Sequence, residues 1–146
     1  MNKLLELINK SQIITIYKKV GSDIFSFLEG LNYIKFDSRE YLNNIRSLKI
    51  ESIMNNIDFP EFLIFDWSYV DYEHRRKFTK GLKKYDDIKK IIIIDYYVRG
   101  NSQQLTLSGN QINYMSDLIF VYKGDGEFQA YKNRHSDLME TIKLDV

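Results

Sequence analysis

Lys132 and Arg134 are the residues whose type and spacing most directly imply chemistry. They stand two apart in a stretch with strand character, and alternate strand positions point to the same side. Two cations projecting together are costly to bury without anions. The pair therefore calls for solvent or for the phosphates of a partner. A second set of cations, Arg75, Arg76, Lys80, Lys83 and Lys84, lies in the run HRRKFTKGLKK. From Tyr72 to Tyr85 the spacing is helical, with Phe78, Leu82 and Tyr85 on one face and Arg76, Lys80, Lys83 and Lys84 on another. Such a helix is either a solvated surface or a nucleic-acid contact; Arg99 and Gln103 of the polar loop RGNSQQ would join it in the second role. Asp66 ends the apolar segment EFLIFDW, where a carboxylate serves a Mg²⁺ or caps a turn. Cysteine is absent and His74 and His135 are the only histidines. Neither a metal centre nor a cofactor is expected.

The stretch Gln12–Leu28, QIITIYKKVGSDIFSFL, reads as a buried strand, a Gly-Ser turn and an apolar helical start. That is the setting of a phosphate-binding P-loop, G-x-x-x-x-G-K-[ST]. Laid on that form, Lys18 takes the first glycine position, Asp23 the second, Ile24 that of the lysine and Phe25 that of the Ser/Thr. Gly21 and Ser22 keep the turn. A phosphate there would meet a carboxylate instead of an ammonium, and a Mg²⁺ would find no hydroxyl. A nucleotide hydrolase with an unorthodox phosphate site on Lys18 and Lys19 ranks last, because neither lysine stands where a P-loop lysine emerges.

The elements that must position these groups follow from periodicity. The 146 residues are expected to form one domain, a helix over 1–10 and a core over 11–146. Strands are expected at Ile13–Tyr17, Tyr33–Phe36, through EFLIFDW, through KKIIIIDYY, and at Asp117–Tyr122 and Glu127–Asn133 about the turn Lys123–Gly126; a last one falls within Thr141–Val146. The segment FSFLEGL predicts about two helical turns, and further helices are expected over 38–48 and 50–57. Buried isoleucine strands alternating with helices predict an α/β fold: a mainly parallel sheet flanked by helices, finished by a C-terminal antiparallel hairpin. No charge-free apolar run approaches the ~20 residues of a membrane span. The absence of cysteine fits a cytoplasmic protein, and the net charge of +1 gives no bulk pull toward nucleic acid.

The C-terminal third resembles the end of the ATPase core of RecA-superfamily motors, the RadA-type repair proteins and DnaB-type helicases above all. The residues that carry the likeness are Tyr114-Met115-Ser116-Asp117 leading into a strand, the hairpin, and Lys132-Asn133-Arg134-His135, with Ser136 where the family has glycine. The resemblance implies that Asp66 stands at the Mg²⁺-side carboxylate and Tyr96 at a polar sensor. It also places Asp37 nearest the catalytic glutamate. Lys132 and Arg134 correspond to a finger offered in trans to a neighbour's ATP. The implied protein is a RecA-like pseudo-ATPase, a partner or regulator of an active RecA-superfamily ring or filament ATPase in DNA replication or recombination. Its small size and its richness in Ile, Asn, Lys and Tyr fit a viral or mobile element. The alternative is a nucleic-acid-binding module that uses the basic helix and the RGNSQQ loop on single-stranded DNA.

Overall fold

The computed structural model describes residues 2–36, 58, 60–67, 70–82, 89–97, 110–136 and 139–145. The helices expected over 38–57, Asp37, Lys83, Lys84, Tyr85, Arg99 and Gln103 lie outside the described residues. Seven strands form one sheet: β1 (Ile13–Lys18), β2 (Tyr33–Phe36), β3 (Phe62–Asp66), β4 (Lys90–Tyr96), β5 (Leu118–Gly124), β6 (Glu127–Asn133) and β7 (Thr141–Lys143). Their order across the sheet is β2-β3-β4-β1-β5-β6-β7. The first five are parallel, and β6 and β7 continue antiparallel. The chain is thus α/β, with a mostly parallel sheet closed by an antiparallel hairpin.

Parallel neighbours need crossover connections, and these cover both faces. On one face Ile14, Ile16, Ile64, Ile92, Ile94 and Phe120 pack against helix α1 (Lys3–Asn9) and a 3-10 turn (Phe25–Leu28). On the other, Leu63, Phe65, Ile91 and Ile93 pack against helices α2 (Tyr72–Leu82) and α3 (Asn110–Met115). Burial on both sides explains the unbroken apolar runs FLIF in β3 and IIII in β4. The Asn2 side chain accepts from the Leu5 N–H at 2.9 Å and caps α1.

Several boundaries differ from the sequence expectation. β1 runs one residue further and includes Lys18, which pairs with Tyr96 of β4. The two turns expected from FSFLEGL shrink to the four-residue 3-10 turn, because the chain must reverse through Glu29-Gly30 before β2. The hairpin between β5 and β6 stands where expected, but β5 runs Leu118–Gly124 in place of Asp117–Tyr122 and the turn narrows from Lys123–Gly126 to Asp125-Gly126. Asp125 and Gly126 both have positive φ, 52° and 79°, the geometry of a two-residue hairpin loop.

Phe128 anchors that hairpin. Its fully buried ring meets Phe27, Phe120 and Tyr122 at centroid distances of 5.4, 6.3 and 4.7 Å. Phe128→Ala is expected to cost about 3–5 kcal/mol, read as a lowered denaturation midpoint with the slope of the transition unchanged.

Candidate functional site

The 3-10 turn that follows β1 packs on the α1 face, and α3, which follows β4 in the chain, packs on the other. The crevice outside the carboxyl ends of β1 and β4 is therefore a topological switch point, where open parallel sheets bind ligands. Lys18, Tyr96 and Asp66 end three adjacent strands there. All three follow the alternation of Ile16, Ile94 and Ile64, so they project on the face that carries the 3-10 turn. The Tyr96 hydroxyl lies 3.3 and 3.4 Å from the two Asp66 oxygens, and the Lys18 ammonium sits 5.2 Å from the Tyr96 ring centre.

The loop between Lys18 and Phe25 is filled by its own side chains. Gly21, at φ 87°, makes the turn that the Ser22 N–H closes onto the Lys19 carbonyl. Lys18 Nζ donates to the Ser22 carbonyl, so the cation folds into the loop mouth. Asp23 Oδ1 accepts from the Phe25 N–H at 2.9 Å. That donor, at the start of the 3-10 turn, is of the kind a P-loop offers to phosphate. Ile24 is fully buried in the core and Phe25 packs its ring against Lys35 at 4.2 Å and Tyr33 at 6.4 Å. Burial lowers the Lys18 pKa, and Lys35 adds to the shift against the attraction of Asp66 and Asp23.

Lys132 and Arg134 occupy the opposite, amino edge of the sheet, where β6 ends beside the start of β5. Arg134 faces solvent and Lys132 is half-buried, and the chain itself supplies acceptors to both. Lys132 Nζ donates to the Asn113 and Tyr114 carbonyls at 2.8 Å each, and Arg134 donates to the Tyr114 carbonyl at 2.6 Å. Carbonyls at a helix C-terminus attract cations. Arg134 also reaches Asp117 Oδ1 at 3.1 Å, while Asp117 Oδ2 accepts the Gln12 and Ile13 N–H groups at 2.7 and 3.1 Å. His135 Nε2 lies 2.8 Å from Ser11 Oγ, which itself donates to the Leu7 carbonyl.

The basic helix divides. Arg76 and Lys80 are exposed. Arg75, expected among the nucleic-acid contacts, turns inward instead. Its guanidinium donates to Asp95 Oδ2 at 2.9 Å, the Trp67 carbonyl at 2.7 Å and the Val70 carbonyl at 2.8 Å, and lies 5.3 Å from the Trp67 ring centre. Asp95 is buried, and an isolated carboxylate there would be prohibitive without that partner. Across the strand pair from Asp95 is Tyr17, whose hydroxyl donates to Asn113 Oδ1 at 2.7 Å. Burial, with the Asp95 charge next, raises the Tyr17 pKa far above the usual phenol range.

Sequence reading missed Asp95, Tyr17 and Asn113, although the alternation Ile91, Ile93, Asp95 signals an inward carboxylate. An open cavity of about 410 Å³ beside α1 is lined by Glu29 and Asp145 and by no cation, so it is unsuited to phosphate. Among the described residues no cluster of His, Asp and Glu is arranged to hold a metal ion, and no helix is long and apolar enough to cross a membrane. No protein-family model matches this chain, and no curated protein is significantly similar to it.

Two outcomes follow from this geometry. Arg75→Gln should cost about 3–5 kcal/mol by leaving Asp95 unpaired, whereas Arg76→Gln and Lys80→Gln should each stay within about 0.5 kcal/mol; thermal melts of the three variants distinguish them. For Lys18, a folded-state pKa below the unfolded value means the unfolded chain binds more protons in the window just below the usual lysine pKa, so stability rises with pH there. The melting temperature of the wild type relative to Lys18→Met should therefore climb as pH is raised toward that value.

Proposed function

We propose that this chain is a non-hydrolysing, RecA-like subunit that partners or regulates an active RecA-superfamily ATPase in DNA replication or recombination. The observation that carries the reading is the self-filled loop at the switch point. The Lys18 ammonium and the Asp23 carboxylate satisfy the loop's own carbonyl and N–H groups, in the place where a P-loop would take phosphate and Mg²⁺. Ile24 and Phe25 are committed to packing, so neither an ammonium nor a hydroxyl is offered. The separation of the two edges supports the second half of the reading. Lys132 and Arg134 lie at the far end of the sheet from this loop and cannot serve a nucleotide bound in their own chain. A nucleotide they could reach would belong to a neighbour.

Arg134 is 48% exposed at its side chain, so it can leave the Tyr114 carbonyl and Asp117 for a stronger anion. A finger that completes charge stabilisation around a transferring phosphoryl group is worth ~10³-fold or more in rate. A subunit that offers one without binding ATP interrupts a ring at one site, so inhibition or capping is the effect.

The purified chain should show no saturable heat on titration with Mg·ATP and no turnover. Affinity capture from the native source should bring down a RecA-superfamily ATPase whose hydrolysis rate the chain alters. Arg134→Ala should abolish that effect and leave most of the complex intact, since one side chain is a small part of a stable interface. Lys132→Ala should do less, because an ammonium lacks the bidentate geometry of a guanidinium. Saturable Mg·ATP binding would overturn the first half of the proposal, and an unchanged partner rate with Arg134→Ala the second.

A further inference from the structure

Two tyrosines stand outside the packing that absorbs most aromatic rings among the described residues. Tyr114 is 79% exposed and Tyr131 is 41% exposed. Each has a lysine ammonium near its ring, Lys132 at 5.8 Å from Tyr114 and Lys123 at 5.9 Å from Tyr131. A bulge in β6 brings these pairs together. Phe120 pairs with Ala130 and Ile119 with Lys132, so Tyr131 is the extra residue between them. The bulge turns Tyr131 and Lys132 toward one side of the sheet, the side on which Lys132 reaches α3 and from which Tyr122 points away. The result is a strip, Tyr114, Lys132, Tyr131, Lys123, that runs from the end of α3 along β6 toward the hairpin turn.

Arg134 extends the strip at one end, and Lys143 of β7 is exposed near the other. Asp117, Glu127 and Asp125 stand nearby. Asp117 is taken up by Gln12, Ile13 and Arg134, and Glu127 faces Lys143 across the strand pair, beside Asp125 in the turn.

We propose that this strip binds single-stranded nucleic acid, with Tyr114 and Tyr131 as stacking platforms and Lys123 and Lys132 following the phosphates. Aromatic faces interleaved with cations match a chain whose bases and phosphates alternate. An acidic peptide would satisfy the lysines but leave two solvent-facing rings without a planar partner. A duplex would satisfy the phosphate contacts but hide its base faces. The surface differs from the basic helix, where Arg76 and Lys80 are exposed but the Phe78 ring is buried. It goes beyond the proposed role in an ATPase assembly, and its test needs no ATPase, so the two can fail separately.

The test is fluorescence anisotropy of a labelled oligothymidine of about 20 nucleotides, long enough to cover one site, titrated with the full chain at low salt. Saturable binding is expected. Tyr114→Ala and Tyr131→Ala should each weaken it about tenfold, while Tyr114→Phe and Tyr131→Phe should retain it because the ring is kept. Lys123→Gln should reduce the slope of log affinity against log salt by about one. Arg76→Gln with Lys80→Gln should leave affinity unchanged. Circular dichroism of the variants should match the wild type, since both rings are solvent-facing. The proposal is overturned by absent binding at low salt, by alanine variants that bind like the wild type, by loss of binding with the helix pair of variants, or by a duplex or polyglutamate competing as well as the oligothymidine.

Discussion

Everything in this molecule is arranged about the parallel pairing of β1 on both its sides. β4 and β5 each lie parallel to it. No tight hairpin can join parallel neighbours, so every connection in the parallel part must cross a face of the sheet. That requirement explains the strands without a polar side, the helices on both faces, and the alignment of Lys18 and Tyr96 at one edge. It also fixes where Asp117 must stand. The residue before β5 lies beside the start of β1, and its carboxylate takes up the N–H groups of Gln12 and Ile13 that would otherwise open the strand's end.

The two edges of the sheet divide the polar chemistry. At the carboxyl edge, Lys18 and Asp23 turn inward on the loop itself. At the amino edge, Lys132 and Arg134 close the end of α3. Asn113 touches both regions: its carbonyl accepts from Lys132, and its side chain accepts from Tyr17, the neighbour of Lys18. Thr15 and Ser116 add a buried hydroxyl pair at 2.8 Å along the same path. α3 is therefore held to β1 by polar contacts more than by apolar area, with Ile112 its one fully buried aliphatic side chain.

The strands were legible because burial on both faces writes itself as runs such as IIII and FLIF, with no period to decode. The closing hairpin was legible from Asp125-Gly126, whose backbone freedom is the turn. The direction of single charged side chains was harder to read. Arg75 falls three residues before Phe78 and seven before Leu82, on the buried stripe, yet its charge weighed more than its phase in placing it outside. The bulge at Tyr131 left no mark in the pattern, because one inserted residue changes alternation only when the partner strand is known. The inward turn of Lys18 depends on Ser22 presenting a carbonyl, a backbone matter that residue types do not record.

The pairing of β1 also sets when the chain can fold. Its partners are residues 91–96 on one side and 118–121 on the other, so β1 has no neighbour until some eighty further residues are made and is flanked on both sides only after residue 121. Contacts this distant in sequence incur their loop-closure entropy before any burial compensates it, and such topologies fold slowly. During synthesis the isoleucines of β1 wait exposed, an adhesive segment for other chains, whereas those of β4 meet β1 and β3 already made. Lysines flank the first, Lys10 and Lys18, and Lys89 and Lys90 precede the second. Charges in those positions hinder stacking of like segments while leaving the native parallel pairing intact. Two of these cations also hold the finished sheet, Lys18 on the Ser22 carbonyl and Lys90 on the Asn9 carbonyl, so they guard the strand ends first and tie them afterwards.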